Sequence, residues 1–521
     1  MHRTKFRRNS IFRSFLLGLS CLLLIVFSNI GFISIGQATE PKTLQVAVEP
    51  VFAPFEFKGE NGEIQGFDVD LIREIGQAAG FTVQFQNIAF DGIIPAIQAG
   101  TVDAAVGAMT ITQERLQAVS FSRPYFKAGL AIAIKDGTQG IESLEDLRGK
   151  KVAVQIGTTG AEAAKKIPDA EIRTFNASVL ALQELKNGNV DAVINDAPIT
   201  LYALATGNLQ GIRTTGELLT EEYYGIPTQL NSPELELINQ GLNTILQNGT
   251  YQEIYRKWFK SDPPQLPQSV PGLETNRSDS IGWLQVITKS LPTLLAGALV
   301  TLQLAAISIV IGLVLGSLMA IARLSTFKPI RWLARAYIDF FRGTPLLVQL
   351  FMVYFGFPAV LQQMGIDFTF DRFLAAVVAL SLNCAAYIGE IVRAGIQSID
   401  SGQTEAAQSL GLNPIKTMRH IVFPQALRRM LPPLGNEFIT LLKDTSLVAV
   451  IGFEELFRQG QLIVATNYRP FELYAAVALI YLVLTLLSSQ AFSALERWMN
   501  PVARRRAANE RENRQALSSP S

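Results

Sequence analysis

Four short segments in the N-terminal half carry side chains suited to holding a small charged molecule. Thr110-Ile111-Thr112-Gln113-Glu114-Arg115 places two hydroxyls and a guanidinium at what reads as a helix start. Arginine meets a carboxylate through two parallel hydrogen bonds, and a helix start adds unpaired backbone N–H groups. Gly157-Thr158-Thr159-Gly160 follows a strand-like run and precedes a helical one at 161–166, so it offers an anion a second helix start. Asp196 ends a further strand-like run and can pair with an ammonium, while Phe52 and Phe90 can sandwich an alkyl or planar side chain. Together these groups suit a small zwitterion. Material for other chemistry is scarce. Only two histidines, His2 and His420, and two cysteines, Cys21 and Cys384, occur in the chain. That excludes a disulfide framework or a cysteine zinc site and argues against a histidine-based centre.

The elements that must position these residues lie between about 44 and 260. Strand-like runs at 44–48, 102–106, 151–156 and 190–194 alternate with helical patterns at 70–79 and 234–259, which predicts parallel sheets covered on both faces. One internal correspondence sharpens this. Ile94, Ile97, Gly100, Val102, Asp103 and Ala104 match Leu182, Leu185, Gly188, Val190, Asp191 and Ala192 at a constant offset. Each set reads as a helix ending at glycine, then a strand. Two similar lobes whose strands end at a crevice predict a ligand cleft, by the rule that ligands sit at carboxyl strand ends.

At 521 residues the chain exceeds one compact domain. Hydrophobic residues reach 49% and charged residues only 17%, below the roughly 25% of a soluble domain. Mean hydropathy is +0.25, so part of the protein lies outside water. The apolar content excludes disorder, and a net charge of +1 argues against a nucleic-acid binder that works by neutralising phosphates. Residues 1–38 read as a signal peptide, with Arg3, Lys5, Arg7, Arg8 and Arg13 ahead of an apolar stretch and small residues near Ala38. Residues 39–260 form the expected binding domain, and 261–285 a proline-containing linker. Residues 286–500 are membrane domain and 501–521 a tail. Spans are predicted at 291–322, 343–366, 373–389, 433–453 and 473–495. Basic clusters after the first span, between the third and fourth, and after the fifth all fall inside if the binding domain is outside. Glu390, Arg393, Lys443 and Asp444 lie within this region, either lining a pathway or forming structural pairs near helix ends.

Several of these segments resemble known families. Gly66-Phe67-Asp68-Val69-Asp70-Leu71 with Ile75, Gly76 and Ala79 resembles the signature of periplasmic binding proteins for polar amino acids. Segments 48–55, 90–95, 110–115, 121–125 and 195–198 follow in that family's order. The resemblance implies a bilobal α/β domain in which Arg115 holds the ligand α-carboxylate, helped by Thr110 and the backbone at Ala108 and Thr159. It implies Asp196 for the α-amino group, and Phe52 and Phe90 for packing on the side chain. Glu49 stands where relatives usually carry an aspartate that meets the ligand side chain, which leaves the preferred amino acid open. The membrane half resembles permeases of ATP-binding-cassette importers of glutamine or basic amino acids: an all-α domain of about five helices. Phe341-Arg342-Gly343-Thr344-Pro345 and Tyr387 to Arg393 are typical of them. Glu405, Ala406, Ala407, Gly411, Ile421 and Pro424 reproduce the spacing of their ATPase-coupling loop.

The expected protein is therefore no enzyme but a binding-and-permease subunit in a bacterial inner membrane, its binding domain on the periplasmic or extracellular side. With no G-x-x-x-x-G-K-[ST] segment, ATP is expected only on a separate ATPase subunit. No cofactor or metal is expected in this chain, and a homodimer is expected because related importers carry two permease domains. An amino-acid-gated ion channel or a membrane receptor uses the same binding fold. A channel, however, needs a filter such as T-V-G-Y-G and pore helices between the lobe segments, whereas here the later spans follow the complete bilobal unit. The tail after Leu495 is too short for a receptor's kinase or cyclase.

Overall fold

The computed structural model describes residues 42–206, 210–273, 282–366 and 368–499. The expected signal peptide and tail lie outside the described residues, as does part of the linker. The described residues from Leu44 onward make one compact unit.

In the first lobe, β1 (Lys42–Val48) pairs in parallel with β6 (Ala104–Ala105). The sheet runs β5-β1-β6-β15-β7, with β5 Phe81–Asn87, β7 Ser120–Phe121 and β15 Pro227–Thr228. A small antiparallel sheet of β2 (Val51–Phe52), β3 (Glu56–Lys58) and β4 (Ile64–Gln65) leads into α1 (Phe67–Ala79). Helices α2 (Phe90–Gln98) and α3 (Gln113–Ala118) follow. The second lobe orders its strands β11-β10-β12-β9-β13, with β9 Leu130–Lys135, β10 Lys151–Gln155, β11 Glu171–Phe175, β12 Ala192–Asp196 and β13 Ile212–Thr215. Its helices are α4 (Thr159–Ala164), α5 (Ser178–Asn187) and α6 (Ala197–Ala205). Strands β8 (Phe126–Ala128) and β14 (Glu222–Tyr224) pair antiparallel where the chain crosses between lobes.

The sheets are mixed and not purely parallel. Strands β9 and β13 join the second sheet antiparallel, as β15 and β7 do in the first, because the chain crosses between lobes twice and returns to complete each sheet. The helical pattern at 234–259 is two helices, α7 (Pro233–Asn248) and α8 (Thr250–Phe259). Gly249 takes φ 92 between them, a left-handed conformation that ends α7. The internal correspondence has a local cause. Asp103 Oδ2 accepts from Gln45 N at 2.7 Å, and Asp191 Oδ2 accepts from Lys151 N at 2.8 Å. In each lobe the aspartate therefore pins its own strand to its parallel neighbour, which aligns both carboxyl ends toward one cleft.

Among the described residues, four helices are long and apolar enough to cross a membrane: α9 (Trp283–Leu324), α11 (Leu346–Gln363), α12 (Arg372–Gln397) and α17 (Pro470–Met499). Between α9 and α11 lies an amphipathic helix, α10 (Lys328–Gly343), absent from the sequence expectation. The span expected at 433–453 instead begins at Phe423, as α15 (Phe423–Asp444), and continues as a 3-10 turn (Thr445–Ile451) that stops at Gly452. The charged Arg428, Arg429, Glu437, Lys443 and Asp444 make it less apolar than the other four. Two short helices, α13 (Ser401–Ser409) and α14 (Pro414–Thr417), precede it, and α16 (Leu456–Asn467) follows.

Candidate functional site

Helices α3 and α4 begin at the cleft with threonine caps. Thr112 Oγ1 accepts from Arg115 N at 3.3 Å, and Thr158 Oγ1 accepts from Ala161 N at 3.1 Å. Both helices are only six residues long. Side chains, more than any helix dipole, must therefore hold an anion here.

Arg115 is 3% exposed. Its Nη1 donates to Thr110 O at 2.6 Å in the first lobe, and its Nη2 donates to Gly157 O at 2.9 Å in the second. Its guanidinium carbon lies 5.4 Å from the centre of the Phe90 ring, a cation–π distance. Two of five donors are thus committed to holding the group across the cleft. Glu49 is another crossing. It accepts from Gln155 Nε2 at 2.7 Å and from Phe90 N at 3.3 Å, and burial pushes its carboxyl up to about 7. Asp196 is pushed up to about 7 by burial and by neighbouring Glu222, opposed by a hydrogen bond from the Tyr224 hydroxyl. Ala108 takes φ 48, and its N–H donates to Asp68 Oδ2 at 2.9 Å.

A cavity of about 430 Å³ has Arg115, Gly157, Thr159 and Glu222 on its walls. Glu49, Phe52, Phe90, Ala108, Thr110 and Asp196 do not line it. Thr110 is tied to it through Glu222, the Phe90 ring faces Arg115, and Glu49 is joined to Phe90 through the backbone N–H. Phe52 packs into the first lobe's core beside Ala108.

Sequence reading missed Glu222, Gln155, Glu56 and the role of Asp68. Glu222, in β14, accepts from Thr110 Oγ1 at 2.7 Å and from Thr159 Oγ1 at 3.0 Å, so one carboxylate oxygen bridges the lobes. Glu56 is fully buried, and burial with Asp68, Glu49 and Asp196 nearby pushes its carboxyl far up. A buried acid at the start of a strand, just after the segment carrying Phe52, was the available signal. Asp68 accepts from Tyr125 hydroxyl at 2.7 Å as well as from Ala108, and burial raises it to about 6.

The membrane domain reaches this cleft. Ala465, Thr466 and Tyr468, at the end of α16, line the same cavity. Arg458, fully buried in α16, donates through Nη2 to Thr174 O at 2.6 Å and to Thr174 Oγ1 at 3.0 Å, and through Nη1 to Asn176 Oδ1. It also sits in the field of Asp91 in the first lobe. Tyr354 donates to Glu184 Oε2 at 2.7 Å. Glu455 anchors α16 to the spans: it accepts from Arg458 N at 2.7 Å, Phe457 N at 2.9 Å and Tyr481 hydroxyl at 2.8 Å.

At the far end of the bundle, Glu405, Ala406 and Ala407 lie in α13, Gly411 takes φ 84 after it, and Ile421 and Pro424 lead into α15. Leu410 and Ile415 are 84% and 78% exposed there. Glu390 is paired with Arg393 and lies 3.8 Å from Arg323. Lys443 and Asp444 close α15.

Comparison with known proteins defines the class. Residues 44–261 match the bacterial extracellular solute-binding proteins, family 3, and residues 312–501 match the binding-protein-dependent transport system inner membrane component. The chain belongs to the binding-protein-dependent permeases, with a family-3 solute-binding domain fused ahead of the permease. The arginine transport system permease protein ArtQ of Bacillus subtilis (strain 168) is 44% identical over 40% of this chain and 92% of its own length. The glutamine transport system permease protein GlnP of Escherichia coli (strain K12) is 44% identical over 41% of this chain and 95% of its own. A solved structure, an ancestral arginine-binding protein bound to arginine, is 45% identical over 42% of this chain and 98% of its own, with a TM-score of 0.41.

Proposed function

We propose that this chain is the binding and permease subunit of an ATP-driven importer of amino acids, taking glutamine or a basic amino acid from outside the membrane. One observation carries the reading: the permease segment ending in Ala465, Thr466 and Tyr468 caps the cleft whose walls carry Arg115, Thr159 and Glu222. A ligand held there faces the membrane domain directly. Arg115, on the cavity wall, receives the α-carboxylate; Glu222, also on the wall, meets the α-ammonium, and Asp196 adds its charge from outside the wall, next to Glu222. Glu49, raised to about 7 by burial, is readily ionised by a nearby cation and so favours a cationic side chain, whereas Glu56, pushed far up, stays protonated and adds no charge. The names of the relatives, arginine and glutamine permeases, support the same ligand class.

ATP is hydrolysed on separate subunits that grip the turn around Gly411, where Leu410 and Ile415 offer exposed apolar contacts. One chain has one such turn, so the working complex is a homodimer with two ATPases. The binding domain works on the periplasmic side and the coupling turn inside. The test is uptake of labelled arginine, lysine, histidine and glutamine by vesicles holding the full chain and its ATPase. Accumulation that requires ATP supports the importer; ionic current evoked by an amino acid without ATP refutes it. A mass corresponding to one copy of the chain per active complex refutes the homodimer.

A further inference from the structure

Five cations surround a second cavity, at the end of the bundle next to the coupling turn. Arg323 closes α9, Lys328, Arg331 and Arg335 run along α10, and Arg393 stands near the end of α12. The space measures about 420 Å³ and is completed by Trp332 and Gln397, with no acidic side chain on its walls. Acids nearby compensate only part of this charge. Glu390 pairs with Arg393 and lies 3.8 Å from Arg323, and Asp339 lies 3.3 Å from Arg335. Among the described residues Lys328 and Arg331 form no ion pair. Helix α10 also starts here; Pro329 has no N–H and Arg331 N donates to Phe327 O, so its first turn adds only the Lys328 and Ile330 N–H groups to the basic wall.

Like charges gathered around one cavity repel, and an anion with several acceptor oxygens relieves them. What flanks the cavity decides which anion. Trp332 is 68% exposed and Leu333 61%, with Phe327 beside them at 59%. A helix that pairs exposed aromatic and aliphatic residues with Lys and Arg at the end of a span has the composition of the membrane–water interface. Free phosphate would satisfy the cations and leave that apolar surface bare, whereas a phospholipid covers both. We propose that this cavity binds the phosphate headgroup of an anionic phospholipid, with the acyl chains against Trp332 and Leu333. Only the assignment of the leaflet to the cytoplasmic side rests on the importer reading; the lipid contact does not.

Trp332 reports on its own site. The full-length complex is reconstituted in phosphatidylcholine vesicles doped with brominated phosphatidylglycerol or, separately, brominated phosphatidylcholine. The quenching that disappears in Trp332→Phe is then taken as the Trp332 signal. Phosphatidylglycerol is expected to quench at much lower mole fraction than phosphatidylcholine. The double variant Lys328→Gln/Arg331→Gln should reduce that preference about 25-fold, since each cation near an anionic surface contributes about fivefold. Lys328→Arg/Arg331→Lys should keep it, which separates charge from folding. Equal quenching by the two lipids, or an unchanged preference in the double Gln variant, overturns the proposal. So does loss of the preference on adding inorganic phosphate to phosphatidylglycerol vesicles, because the cavity would then be a site for the soluble anion. Transport in pure phosphatidylcholine is read in parallel, so failure of the importer reading and failure of the lipid site register separately.

Discussion

Arg458→Ala removes a charged permease side chain that is fully buried among groups of the binding domain. Its guanidinium is fully buried and donates to Thr174 O, Thr174 Oγ1 and Asn176 Oδ1. Burial lowers its pKa only to about 10, so it is charged at neutral pH. Hydrogen bonds to a charged group contribute about 1.5–3 kcal/mol each, and removing one side of a buried charged contact costs about 3–5 kcal/mol. A loss of that size shifts the docking equilibrium by a factor of roughly 150 to 4,000. Tethering holds the binding domain at roughly millimolar effective concentration, so the docked state is weakened but still visited. Arg458→Lys should fall between the two, because a point charge cannot serve Thr174 and Asn176 with one planar fork. The assay is amino-acid-stimulated ATP hydrolysis by the full complex in lipid discs, with ligand affinity measured on the same sample. Stimulation is expected to drop at least about tenfold while ligand affinity stays within about twofold. Undiminished stimulation in Arg458→Ala, with the protein folded, would refute the docking role.

Arg115→Ala should weaken every amino-acid ligand by a few hundredfold or more, since a buried pair costs about 3–5 kcal/mol to break; retained micromolar binding would show another carboxylate anchor. Glu49→Gln should weaken arginine and lysine about tenfold more than glutamine, and equal losses in a binding titration would place Glu49 in lobe closure alone. Glu49 and Asp196 both lie at about 7, and a bound cationic group favours their ionised forms, so calorimetry at about pH 6 in buffers of different ionisation enthalpy should detect proton release that vanishes well above pH 7. Folding has the opposite sign: these raised acids hold more protons folded than unfolded between about pH 4 and 7, so stability from this source is full below about 4 and declines as pH rises to 7. Gly411→Asp forces a β-carbon into φ 84 at an exposed turn, and it should stop uptake while leaving ligand affinity unchanged; normal uptake would remove the coupling role from that turn.

The sequence by itself determined the division into a strand-and-helix half and a membrane half, because hydrophobic periodicity and charge-free runs are local properties. It also pointed to Arg115 and Thr159, which stand on the cavity wall, and to Thr110 and Asp196, which do not, since a strand end followed by a cap and a charged residue is written in consecutive positions. The offset between Asp103 and Asp191 was readable for the same reason, although only the structure shows each one pinning a neighbouring strand. Tertiary structure alone decided the partners. Glu222 meets Thr110 and Thr159 because the chain crosses between lobes twice and brings residues far apart in sequence to one oxygen. Arg458 stands 282 positions from Asn176, and no pattern within either segment announces the other. The five-cation cavity is of the same kind: Arg393 joins Lys328 and Arg331 only after α9, α10 and α12 pack. Periodicity reads which face of an element avoids water, whereas packing selects the element that covers it, and that selection placed the permease over the mouth of the binding cleft.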